Sequence, residues 1–190
     1  GAYALMAQAY FDAFGGDRED LASIAVKNHD NALPNEKAQY QRAIEVSDVL
    51  EAPLVSEPLG LYDACPISDG ASALVLTSED YATAHDLEAP VAITGTGQGG
   101  DRMALHDREH LARSPAAREA GDEAYADAGI DAGDVDVAEV HDCFTIAEVL
   151  ALEALDLEPI GEGISAARDG RTTADGELPV NQIGRASCRE

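Results

Sequence analysis

An α/β architecture, with sheets covered by helices, is what the 190 residues predict, and three observations carry it. Short apolar runs at 71–77, 91–96 and 135–140 have the length and composition of buried strands. Segments with helical patterning and recognisable starts and stops alternate with those runs. Apolar residues make up 45% of the chain, so it can bury a core rather than remain disordered.

Taken in order, YALMAQAYFDAF (3–14) has helical character and stops at Gly15-Gly16. Asp17 is placed to cap a second helix, with Leu21, Ile24, Ala25 and Asn28 at helical spacing, ending near Asn31 before Pro34. KNHDNALPNEKAQY (27–40) is polar and turn-rich and reads as a surface excursion. From Pro53 to Pro66 the chain is proline-rich and irregular, and ASALVLT (71–77) is then entered through Asp69-Gly70 as a buried strand. A short helix is expected over 79–86, and VAITGT (91–96) as a second buried strand with a glycine-rich exit. Ser114-Pro115 opens a helix in the favoured order of cap then proline, and Gly129 closes it. Its Ala117, Ala120, Ala124 and Ala128 form a small-residue face suited to lying close against a sheet. VDVAEV (135–140) is the third strand. Thr145 and Glu148 match a T-x-x-E capping box, starting a helix that Pro159 stops.

The charge is extreme: 37 acidic residues against 12 Lys plus Arg give −25, with lysine only at Lys27 and Lys37. Such a surface repels phosphate backbones and anionic lipids, so nucleic-acid and membrane-surface binding are excluded as functions. The acids are spread through every helical segment, the pattern of a solvated acidic surface whose self-repulsion high salt would screen; a halophilic cytoplasm is the expected setting. GAYALMAQAY lacks the charged start of a signal peptide, and three scattered cysteines do not make a disulfide framework. The compartment is therefore expected to be reducing and cytoplasmic. The last nine residues, QIGRASCRE, carry two arginines and no acid until Glu190. Residues 183–190 also resemble a translated sequencing adapter and are set aside from the fold. With no initiator Met, the chain is expected to be an internal piece of a longer protein.

Gly95-Thr96-Gly97-Gln98-Gly99-Gly100 fits the G-x-G-x-x-G pattern after a strand, but DRMALHDREH follows in place of a helix opening, which argues for a flexible glycine loop over a dinucleotide site. His106-Asp107-Arg108-Glu109-His110 fits H-x-x-E-H, yet no third ligand is placed, and a solvated loop is the better reading; no metal is assigned. In VHDCF (140–144) a thiol and an imidazole stand two residues apart at a strand-to-helix turn. Cys143 beside a helix N-terminus would have a lowered pKa, which suits a nucleophile; a small buried cysteine next to a hydrogen-bonding histidine fits equally well. The residues alone leave both open.

KNHDNALPNEKAQY, CPISDGASALVL (65–76), VHDCFTIAEVLALEALDL (140–157) and GELPVN (176–181) together, in this order, resemble the thiolases, specifically the archaeal and sterol-carrier-protein type. The resemblance covers residues 1–181 and implies two similar α/β halves, with mixed sheets covered by helices, and an inserted loop domain. Residues 1–58 would be loop domain, 59–89 the end of the first half, and 90–182 most of the second.

What the resemblance implies for chemistry is an acyl-CoA C-acyltransferase: condensation of acetyl-CoA units or thiolysis of 3-ketoacyl-CoA through a cysteine acyl-enzyme. His141 would donate to the enolate oxygen in the oxyanion hole. Cys143 falls where a commoner version of the motif has alanine, so it would line the site rather than attack. Phe144 would wall the acyl pocket, and Cys65, Pro66 and Ile67 would run beside the pantetheine arm of coenzyme A. Ser68, Asp69 and Gly70 would form a turn. Coenzyme A thioesters would be substrates, with no resident cofactor. A homodimer or tetramer is implied, with a zinc-ribbon and OB-fold protein as a possible partner. The nucleophilic cysteine, the G-H-P histidine and the C-x-G cysteine of the family are not among these 190 residues, so the piece alone is expected to be inactive. The competing readings are a thiolase-like protein that binds acyl-CoA or lipid without turnover, and a Cys-His hydrolase built on residues 141–143.

Overall fold

The computed structural model describes residues 1–67, 69, 71–88 and 91–182; the turn expected at Ser68 and Gly70 and the foreign segment at 183–190 concern residues outside that set. The helices are α1 (Ala2–Phe14), α2 (Arg18–Ala32), α3 (Val46–Glu51), α4 (Glu79–Ala84), α5 (Pro115–Ala128) and α6 (Thr145–Ala154). Their ends follow local chemistry. Asp17 accepts from the amides of Glu19 and Asp20 at 2.8 and 3.2 Å, and Asp20 returns a bond to the Asp17 amide at 3.1 Å, a reciprocal cap for α2. Gly129 closes α5 in the left-handed conformation at φ 73°, where a side chain would be strained.

Helix α6 is the centre of the packing. All of its residues except Ala151 are buried, as expected of a helix apolar on most of its circumference. Ile146, Val149 and Leu150 meet Ala4, Ala7 and Tyr10 of α1, Leu21 and Ile24 of α2, and Ile164 and Ala167. On its other side α2 presents Ala22 and Ala25 to Ile44 and Val49. These contacts fix α2 against α6, and that pair frames the site.

Four expectations are corrected. The polar run from Lys27 is not a surface excursion: residues 27–32 are the last turns of α2, with Lys27, Asn28 and Asn31 buried. The irregular stretch after Pro53 contains an antiparallel hairpin, β1 (Leu54–Ser56) with β2 (Leu59–Gly60). The capping box at Thr145 does not form. Thr145 is already helical and gives its hydroxyl to Asp63 at 2.8 Å, while Glu148 turns inward. The apolar runs at 71–77 and 91–96 join no ladder among the described residues, and Leu74, Val75, Leu76, Val91 and Ile93 are exposed. Residues 135–140 contribute one parallel bridge, Ala138 to Val180. A strand exists only through a partner, and composition does not supply one.

The glycine-rich exit has a structural account. A Cβ at Gly95, Gly97 or Gly99 would come within 2.3, 1.9 and 2.0 Å of the carbonyl oxygens of Ala124, Ala120 and Ala116. Every second residue is therefore a glycine lying directly on the alanine face of α5, with Ala116 in the row in place of Ala117. The alternate amides of Thr96, Gln98 and Gly100 donate to Asp127, Glu123 and Glu119 at 3.1, 2.9 and 3.1 Å. The loop is not free: its glycines serve close packing.

Candidate functional site

Residues 141–144 link the Ala138 bridge to α6, and the chain is held on both sides of His141. Before it, the Val140 amide donates to Oδ1 of Asn181 at 2.8 Å. After it, the buried Asp142 carboxylate accepts from Nδ2 of Asn28 at 3.0 Å. The His141 ring between these anchors is exposed. Asp142 also lies just ahead of the α6 N-terminus, where the helix dipole favours negative charge.

Both anchors converge on one carboxylate. Oε2 of Glu148 accepts from Asn28 Nδ2 at 2.8 Å and from Asn181 Nδ2 at 2.7 Å, and Oε1 pairs with Lys27 Nζ at 2.8 Å. Lys27 and Asn31 also donate to the Val180 carbonyl, at 3.0 and 3.2 Å, and Asn31 to that of Asn181 at 3.0 Å. Removing one member of such a buried pair costs about 3–5 kcal/mol, because the other charge is left without compensation. Asn181 has φ 55°, a left-handed conformation that asparagine tolerates better than most residues. Its amide both receives from Val140 and gives to Glu148.

Cys143 and Phe144 are placed by the segment around Cys65. Ala64 and Phe144 form an antiparallel bridge, and the Cys65 amide donates to the Cys143 carbonyl at 3.0 Å, so the two half-buried cysteines stand opposite each other. The Tyr3 phenol is hydrogen-bonded to Cys143; that bond first, and burial second, pushes its pKa up to about 12. Tyr3 also stacks on Phe144 with ring centroids 4.7 Å apart. Of the residues expected at the site, Cys65, Cys143 and Phe144 come together around Tyr3, beside His141 in the chain. Pro66 is half-buried and Ile67 points fully into solvent.

Sequence reasoning missed Tyr3, Lys27, Asn28, Glu148 and Asn181. One signal was available: the chain has only two lysines, and one falls on the face of a helix that otherwise carries its core residues. His106 and His110 lie apart from these residues in sequence, exposed and next to Asp107 and Glu109. An open groove of about 540 Å³ between residues 110–118 and α6 includes none of residues 141–144.

Comparison with known proteins adds the following. Residues 2–80 match the thiolase N-terminal domain family, and residues 97–189 the thiolase C-terminal domain-like family. An acetyl-CoA acetyltransferase of Methanothermobacter thermautotrophicus is 40% identical over 187 residues, covering 98% of this chain and 49% of that protein. The benzoylsuccinyl-CoA thiolase subunit BbsB of Thauera aromatica is 35% identical, covering 97% of this chain and 48% of its own. A solved Ltp2-ChsH2(DUF35) aldolase superposes with TM-score 0.90 at 33% identity, over 96% of this chain and 49% of that one. The chain thus spans about half the length of the relatives it matches. None of the helices in the described residues is long and apolar enough to cross a membrane.

Proposed function

The chain belongs to the thiolase family and has its α/β fold, and on that premise we propose that the full-length protein is an acyl-CoA C-acyltransferase. It condenses acetyl-CoA units, or cleaves 3-ketoacyl-CoA with coenzyme A, through an acyl group carried on a cysteine outside these residues. The observation that carries the proposal is the exposed His141 ring on a turn held at both flanks. Carbon–carbon bond formation between thioesters passes through an enolate, and an enolate needs a hydrogen-bond donor already fixed where the oxygen becomes negative. A ring N–H on a restrained backbone at a helix N-terminus meets that need.

In this reading His141 is the donor and Phe144 shapes the acyl pocket, with Tyr3 stacked behind it. Cys143 contacts substrate without attacking it; its hydrogen bond to Tyr3 is consistent with a lining role. Cys65, Pro66 and Ile67 run along the pantetheine arm. We assign residues 1–58 to the loop domain, 59–89 to the end of the first half and 90–182 to most of the second. The protein is taken to work in the cytoplasm of a halophile as a homodimer or tetramer. A partner protein is supported by the two-component name of the Ltp2-ChsH2(DUF35) structure.

The test is turnover of acetoacetyl-CoA plus coenzyme A in high salt by the full-length protein and its His141→Ala variant. A loss of roughly 10² to 10³ in kcat is expected, the usual effect of deleting one oxyanion donor. Unchanged turnover would remove His141 from the site. A protein that binds acyl-CoA but turns nothing over would favour the non-catalytic reading.

A further inference from the structure

We propose that Asn28 and Asn181 are positioning residues for His141, acting as two arms that Glu148 holds in register. The inference rests on the reading of His141 as the oxyanion donor and extends it to residues that touch no substrate. Each arm reaches one flank of the histidine: Asn181 Oδ1 accepts from the Val140 amide at 2.8 Å, and Asn28 Nδ2 donates to the Asp142 carboxylate at 3.0 Å. The same two side chains meet on Glu148 Oε2, at 2.8 and 2.7 Å. Displacing either arm lets the backbone move on one side of residue 141 only, and the ring it carries swings.

Several features separate this from ordinary core packing. All the side chains involved are at least 95% buried: Lys27 at 5% exposure, Asn28 at 0%, and Asp142, Glu148 and Asn181 at 1% each. Apolar groups would fill that space at less desolvation cost, so the polar cluster is better explained by the geometry it fixes than by stability. Lys27 brings the countercharge for Glu148, whose other carboxylate oxygen accepts from both arms. The parts come from three places in the chain, α2, the start of α6 and residues 180–181, and they converge on the turn that carries an exposed imidazole. A misplacement on the order of 1 Å in a reacting group can cost about 100-fold in rate, so modest movement at the anchors is enough to matter.

The experiment is a double-mutant cycle in the full-length protein, with folding followed by circular dichroism and thermal midpoint. Asn28→Ala removes one arm. Asn181→Gly removes the other while suiting the left-handed backbone at φ 55°, so a failure of the first variant to fold leaves the second to decide. Each arm variant is expected to lower kcat on the order of 10- to 100-fold, with the KM for the acyl-CoA nearly unchanged. Combined with His141→Ala, neither is expected to lower kcat further, because there is no longer a donor to aim. A folded arm variant with normal kcat, or a loss that multiplies in full with that of His141→Ala, would overturn the positioning role. If His141→Ala itself turned over normally, the donor reading and this one would fall together; an impaired His141→Ala beside normal arm variants would sink this inference alone.

Discussion

Glu153 collects three donors on one carboxylate oxygen inside α6: the Tyr10 hydroxyl and the amides of Gly161 and Gly163, the last two at 3.0 and 3.1 Å. Burial raises its pKa above the usual carboxylate range despite those bonds, and burial followed by the bond to Glu153 raises that of Tyr10. A raised folded-state pKa means that the folded protein holds the proton more tightly than the unfolded chain. The stabilisation is complete below the ordinary glutamate pKa and is lost as pH rises through the raised value. Glu153→Gln keeps an acceptor and removes the titration. The urea midpoint of the variant is therefore expected to fall less than wild type across the mildly acidic range, and parallel pH profiles would contradict the assignment. At this scale the sequence exposed His141 and Cys143 at once, because their neighbours in the chain announce a turn. It hid Asn28 and Asn181, whose bonds to Glu148 span 120 and 33 residues of sequence. Asn28 shares the helical spacing of Leu21, Ile24 and Ala25, which marks it as inward, but nothing local names the distant carboxylate it bonds.

Helix ends were the most readable elements because their causes are local. Asp17 before α2, Pro115 in the first turn of α5 and Gly129 after it act within one turn of where they stand, whereas the Ser114 side chain makes no cap bond. The apolar runs at 71–77 and 91–96 were misread as buried strands for the opposite reason, since a ladder depends on a partner far away. The glycines at 95, 97 and 99 were readable only as a loop until the helix they touch was placed. Their packing on α5 is testable. Gly97→Ala puts a methyl group 1.9 Å from the Ala120 carbonyl oxygen, a backbone atom that cannot swing aside. Destabilisation of about 1–3 kcal/mol is expected, the usual cost of overpacking. Gly100→Ala, with nothing within 4 Å of the added carbon, is expected to stay within about 0.5 kcal/mol. Equal denaturation midpoints for the two variants would show that residues 95–99 do not rest on α5.

Across the whole molecule the net charge of −25 is spread along the chain rather than gathered in a tail. Such a field opposes compaction, and salt shortens its reach from about 10 Å at 0.1 M to about 3 Å at 1 M. The thermal midpoint is expected to climb as KCl rises from 0.1 M toward roughly 2 M, well past the point where ordinary surface pairs are screened; a flat or falling midpoint would remove the halophilic reading. Charge and composition made the solvent environment legible without any structure, whereas the frame around the site depends on where three distant pieces of chain meet. That meeting has a consequence in time. The Val140 amide waits for an acceptor 41 residues further on. At ribosomal speeds that is about 2–8 s of synthesis, during which the histidine turn has been made but lacks one of its two anchors. The histidine turn is made after Tyr3, Asn28 and Cys65, and it is set only when Asn181 arrives.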